Sequence, residues 1–178
     1  MERYTIFKKF LDTIDHRNDM EDKSKGAIHG ITKFADMTES EFKTKFLGYR
    51  PSTTRSKNIA SVPKYKGSSS SVDWTGIYTT AVKDQGYCGS CWAFSATEQI
   101  ESDSIRAGLL TTSDQLSPQQ IVSCDKIDYG CDGGNTETAY LYVKEAGGIA
   151  SATDYPYTSY WDVTGTCITA VSYEVGLF

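Results

Sequence analysis

Gln85-Gly-Tyr-Cys88-Gly-Ser-Cys91-Trp-Ala-Phe-Ser95 is the stretch on which the reading of this chain turns. Two cysteines with two residues between them suit three chemistries. A zinc site wants a second close pair, but Cys124 and Cys131 are seven apart and Cys167 is isolated, so the usual spacing is absent. A dithiol redox pair fits the spacer and has no need of the other cysteines. A nucleophilic cysteine beside a structural one is the third option, and spacing alone ranks the three about equal. Beyond Cys91, the apolar positions Trp92, Phe94, Ala96, Ile100 and Ile105 predict a long, largely buried helix ending near Gly108, with Cys91 in its first turn.

The rest of the composition narrows the choice. The chain has 178 residues, 18 Lys and Arg against 23 Asp and Glu, and 39% hydrophobic residues, ordinary values for a globular protein. All five cysteines lie between Cys88 and Cys167, whereas the two histidines, His16 and His29, lie far upstream. An odd cysteine count means that any disulfide framework leaves a thiol over. No apolar run is long enough to cross a bilayer. The start, Met1-Glu2-Arg3-Tyr4, lacks a charged segment followed by an apolar one, so a secreted form requires a signal peptide outside this chain. The net charge of −5 argues against a nucleic-acid partner.

Charge is unevenly distributed: residues 1–50 carry +1, residues 51–70 carry +4 and residues 71–178 carry −10. With the serine-rich composition from Pro51 to Ser71, this predicts an N-terminal domain over 1–50, a linker over 51–71 and a second domain over 72–178. In the first, Tyr4, Phe7, Phe10, Leu11 and Ile14 recur with helical period, predicting a helix from Arg3 to Asn18. Fifty residues without cysteine are near the lower size limit for an independent core, so this stripe is expected to dock on a partner surface. Thr38 and Glu41 predict a capping box opening a second helix that runs to about Leu47, before Gly48. On periodicity alone this is simply a helical surface domain.

Residue identities add more. Arg3, Phe7, Ile14 and Asn18, with Gly30, Phe34 and Asp36, resemble the inhibitory propeptide of papain-like cysteine proteases, with Phe10 and Thr32 standing where that family usually has Asn. Cys88-Gly-Ser-Cys91-Trp is itself a known signature of the papain and cathepsin nucleophile. Val72-Asp-Trp74, Leu116 to Cys124, Gly130-Cys-Asp-Gly-Gly134, Gly147-Gly-Ile149 and Tyr155-Pro-Tyr157 also resemble papain-family sequence, in the expected order. The resemblance implies an α+β class: a helical propeptide, then the helical lobe of a two-lobed papain-like fold, with the β-rich lobe mostly absent from this chain.

It also implies roles. Cys91 would be the nucleophile, and a helix start is an electrostatic setting that favours a thiolate there. Gln85, six residues earlier, would supply its side-chain amide to the oxyanion beside the Cys91 N–H, although a Gln before a Gly turn is ordinarily a surface polar residue. Four cysteines allow three pairings; the resemblance implies Cys88 with Cys131 and Cys124 with Cys167, hence an oxidising compartment of lysosomal, vacuolar or secretory type. Gly134, after Gly133, would pair with substrate main chain, and Asn135 and Thr136 would border the pocket for the side chain two residues before the scissile bond; without the motif, Gly-Gly is as readily a plain turn. Helices over Pro118–Val122, capped by Ser117, and over about Thr136–Glu145 read as scaffold, and Tyr140, Tyr142, Tyr155 and Tyr157 as packing residues with polar tips.

The implied function is that of a papain-like cysteine endopeptidase precursor, held inactive by its own propeptide in the cleft, acting on peptide or protein substrates with no cofactor, metal, nucleic acid or membrane. The family's general-base His falls about 130 to 150 residues after the Cys, and His16 and His29 lie in the propeptide region. The chain is therefore expected to be an incomplete piece, inactive alone. The alternatives are a non-catalytic propeptide-like inhibitor or pseudo-peptidase binding protein, and a redox protein using Cys88 and Cys91.

Overall fold

The computed structural model describes residues 2–21, 26–51 and 71–175. The linker expected over 51–71 lies almost wholly outside them. Backbone contacts divide the chain into two compact units, Met1–Lys45 and Phe46–Phe178.

The first unit holds α1, Glu2–Met20, and all but the last residue of α2, Glu39–Phe46. Ile14 of α1 is buried, as its place on the apolar stripe requires. The capping box forms: Glu41 N–H donates to Thr38 Oγ1 at 3.1 Å and Thr38 N–H to Glu41 Oε2 at 2.8 Å, leaving neither amide unpaired at the helix start. Arg3 accounts for part of the signature. Its guanidinium donates to the Asp36 carbonyl at 2.8 Å and pairs with Glu41 at 2.7 Å, tying α1 to the segment before α2. Asn18 does the same for the other end of α1, accepting the His29 N–H at 2.8 Å and donating to the His29 carbonyl at 2.9 Å.

The second unit is built on α3, Cys91–Arg106, which packs on α4, Pro118–Cys124, and α5, Thr136–Ala146. Trp92, Ala93, Ala96 and Ile100 of α3, Ile121 and Val122 of α4, and Ala139 and Val143 of α5 make one core with Leu116, Ile149 and Val175. Burying each of the larger side chains contributes about 1.5–3 kcal/mol. Ser117 caps α4, its Oγ accepting the Gln120 N–H at 3.1 Å, with Pro118 at the first helical position. Asn135 caps α5, accepting the Glu137 N–H at 2.7 Å, and Gly147 ends that helix in the left-handed conformation. Among the described residues, β pairing is limited to isolated bridges, Tyr49 with Gly134 in parallel sense and Leu116 with Ser151 and Ile149 with Val175 antiparallel. This is a helical lobe. Among the described residues no helix is long and apolar enough to cross a membrane.

One buried ion pair ties three stretches of this lobe together. Lys83 and Glu101, with side chains 8% and 1% exposed, meet at 2.6 Å. Glu101 also accepts the Leu116 N–H at 2.7 Å and the Thr80 hydroxyl, so the loop before the cysteines, the middle of α3 and the approach to α4 share one carboxylate. Nothing in the sequence pattern pointed to it.

Candidate active site

Two disulfides close in this unit, Cys88–Cys131 and Cys124–Cys167. The first staples the turn before α3 to the loop Gly130–Asp132. Each spans 43 residues of sequence, and loop closure on that scale is worth roughly 3–4 kcal/mol against the unfolded chain. Cys91 is the unbridged cysteine; it is partly exposed and opens α3. Its neighbour Trp92 is buried, with Nε1 donating to the Gly130 carbonyl at 3.2 Å, which sets how α3 enters the lobe.

Facing this turn runs the loop of Gly133 and Gly134, and along it lies the segment Phe46 to Arg50 of the same unit, which leaves the end of α2 at Phe46 and is extended from Leu47 on. Gly134 N–H donates to the Gly48 carbonyl and Arg50 N–H to the Gly134 carbonyl, both at 2.8 Å. Side chains reinforce the pairing: Arg50 Nε donates to the Asp132 carbonyl at 2.8 Å, its guanidinium lies 4.7 Å from the Tyr129 ring centre, and Asn135 Nδ2 donates to the Arg50 carbonyl at 3.2 Å. Glycine is required for so close an approach. A Cβ on Gly48 would strike the Gly89 carbonyl, and one on Gly133 the Gly48 carbonyl.

Gln85 lies at the other end of this segment. Its Nε2 donates to the Cys88 carbonyl at 2.8 Å and to the Phe46 carbonyl at 3.3 Å. The Gln85 amide thus already holds a main-chain carbonyl oxygen, while Phe46 sets its ring 5.7 Å from that of Tyr87.

Asn135 takes part in the pairing, as described. Thr136, expected beside it in a side-chain pocket, turns its hydroxyl to the Trp92 carbonyl at 3.4 Å and opens α5. Behind Gly134 stands Asp128, which accepts the Asn135 N–H at 3.0 Å and the Thr138 hydroxyl. Asp125, 7% exposed, lies against it, and one oxygen of Asp125 has no hydrogen-bond partner. Burial foremost, and then the Asp128 charge, push the Asp125 carboxyl up to about 6. Neither acid carried a motif that would have singled it out.

His16 and His29 belong to the first unit. His29 has Nε2 at 3.6 Å from Glu21. Among the described residues, no group of three or more His, Cys, Asp and Glu side chains is placed to hold a metal ion.

Comparison with known proteins gives these features a context. Residues 68–175 match the model of the papain family of cysteine proteases, and residues 1–42 match the cathepsin propeptide inhibitor domain. The chain is 36% identical over 165 residues to a senescence-specific cysteine protease of Arabidopsis thaliana, covering 87% of this chain and 46% of that protein. It is 39% identical over 160 residues to cathepsin F of Drosophila melanogaster, covering 87% of this chain and 25% of the relative. Among solved structures it resembles digestive procathepsin L2 from Tenebrio molitor larval midgut, with a TM-score of 0.77 and 32% identity over 94% of this chain and 55% of that one. A recombinant stem bromelain precursor aligns with a TM-score of 0.75 and 33% identity, over 99% of this chain and 55% of that one. The chain spans less than half the length of these curated relatives. With a free cysteine opening a buried helix, two bridges around it and family matches over both units, this chain belongs to the papain family of cysteine proteases and carries a cathepsin-type propeptide inhibitor domain.

Proposed function

We propose that the chain is the propeptide and nucleophile-bearing lobe of a cysteine endopeptidase precursor, with the division of labour expected from its sequence: residues 1–50 inhibit, 51–71 link and are cut on maturation, and 72–178 carry half of the catalytic apparatus. Cys91 Sγ attacks the scissile carbonyl carbon. The oxyanion is held by the Cys91 N–H and the Gln85 side-chain amide; the C–N bond then breaks, the amine leaves with a proton, and water releases the acid from the thioester. Gly134, flanked by Gly133, pairs with substrate main chain, while Asn135 and Thr136 border the side-chain pocket. The proton acceptor that serves the thiol is a histidine from outside these 178 residues, because the two present lie in the propeptide domain. The bridges suit a lysosomal, vacuolar or secreted setting.

The observation that carries this reading is the segment Phe46 to Arg50. A groove that takes extended backbone on Gly134 and a carbonyl on Gln85 handles the groups a peptide substrate presents. In this chain those groups come from the last residues of the inhibitory segment 1–50, so the precursor blocks itself. The test is labelling with a peptidyl epoxide followed by mass mapping. Modification confined to Cys91, and faster once residues 1–71 are cut away, supports the reading; modification spread over unfolded cysteines, or insensitive to that cut, contradicts it.

A further inference from the structure

Tyr157 reaches both halves of the site from a third stretch of chain. Its phenol donates to the main-chain carbonyl of Gln85 at 2.8 Å and lies 2.9 Å from Ser90 Oγ, across 72 and 67 residues of sequence respectively. A phenol has one hydrogen, and Gln85 takes it. At the second contact Ser90 is therefore the donor, and the chain of bonds has a direction, from Ser90 to Tyr157 to Gln85. Burial pushes the Tyr157 phenol up to about 12, only partly opposed by the bond from Ser90, so it keeps its proton at working pH. Its ring is fixed edge-on to Phe94, with centres 5.0 Å apart.

The consequence falls on α3. Ser90 is fully buried in the position preceding that helix, where a serine hydroxyl ordinarily accepts an N–H of the first turn. It makes no such bond. Ser117, in the same position before α4, does. The difference is that the hydroxyl of Ser90 faces Tyr157.

We propose that Tyr157 is a positioning residue for the nucleophile: it holds the Ser90 hydroxyl away from the first turn of α3, where the Ala93 and Phe94 N–H groups already donate to the Ser90 carbonyl, so that the Cys91 and Trp92 N–H groups are left to act on Cys91 and its oxyanion, and it anchors the Gln85 main chain. This rests on the reading of Cys91 and Gln85 given above. The sequence had presented Tyr157 as a packing residue with a polar tip.

The test uses the whole 178-residue chain and the rate at which iodoacetamide alkylates Cys91. In Tyr157→Phe the ring stays against Phe94 while Ser90, freed, turns to cap the helix, and alkylation slows about two- to fivefold, the size of a helix-end charge effect. In the double variant Tyr157→Phe/Ser90→Ala no hydroxyl is left to turn, and the rate returns to that of wild type. A merely structural role would lower the melting temperature without such rescue. A Tyr157→Phe rate equal to wild type, or a double variant as slow as the single one, overturns the proposal. Mass mapping that finds Cys91 bridged rather than alkylated in the folded wild-type chain removes the nucleophile reading beneath it, a separate result because the proposal compares folded variants with one another.

Discussion

The side-chain amide of Gln85 donates to the main-chain carbonyl of Phe46 at 3.3 Å, so the group proposed to receive the oxyanion is occupied by a carbonyl of the same chain. Two backbone bonds on Gly134, a few residues further along, hold the rest of the segment. The self-inhibition proposed above would thus rest largely on main-chain groups and on the missing side chain of Gly48, and is open to attack at single positions.

Gly48→Val is the sharpest of these. Its Cβ would meet the Gly89 carbonyl, and the segment has to lift from Gly134 and Gln85. Each neutral hydrogen bond lost contributes about 0.5–1.5 kcal/mol. The expected result is faster labelling of Cys91 by a peptidyl epoxide, tenfold or so, with the helical far-ultraviolet signal unchanged.

Lys83→Met leaves the Glu101 carboxylate buried and uncompensated. Chemical denaturation is expected to show a loss of about 3–5 kcal/mol. Replacing both partners by Met should not recover it, since Glu101 also accepts from Leu116 and Thr80, and those donors would be left without it.

Much of the fold was legible and the reason is local. Thr38 with Glu41, Ser117 with Pro118, and Asn135 through Gly147 are helix signals confined to a few residues, and the helices stand where those signals put them. The pairing of the cysteines was not legible from spacing, because four thiols allow three arrangements; only the likeness to a family chose among them. The Lys83–Glu101 pair and the Tyr157 bonds bring together groups from different parts of the second unit, and no periodicity records such meetings. The path of Phe46 to Arg50 was hidden for another reason. It is held largely by backbone, whose donors and acceptors are the same at every residue, and Gly48 alone marked it.

Asp125 makes stability depend on pH in an uncommon sense. Its carboxyl is raised to about 6 by burial and then by Asp128, with Tyr142 also near. The folded state therefore binds this proton more tightly than the unfolded one, and the contribution is complete below about pH 4 and is lost as pH rises through about 6. Asp125→Asn should flatten the change in unfolding free energy between pH 5 and 7 and stabilise the protein at pH 7, on the order of 1–2 kcal/mol. Urea titrations at the two pH values check it; a variant with the wild-type pH slope would refute the assignment.

The two bridges separate a protease lobe from a redox protein. Peptide mapping without reduction is expected to join Cys88 to Cys131 and Cys124 to Cys167, with Cys91 recovered alkylated. A Cys88–Cys91 bridge in the native chain would instead support dithiol chemistry.

Peptide turnover by the protein expressed from the full reading frame that contains these residues, freed of residues 1–71, tests the central claim most directly. Cys91→Ala is expected to abolish it, and Gln85→Ala to lower kcat by about a hundred- to a thousandfold, as for loss of one oxyanion donor. Turnover that survives Cys91→Ala would contradict the account.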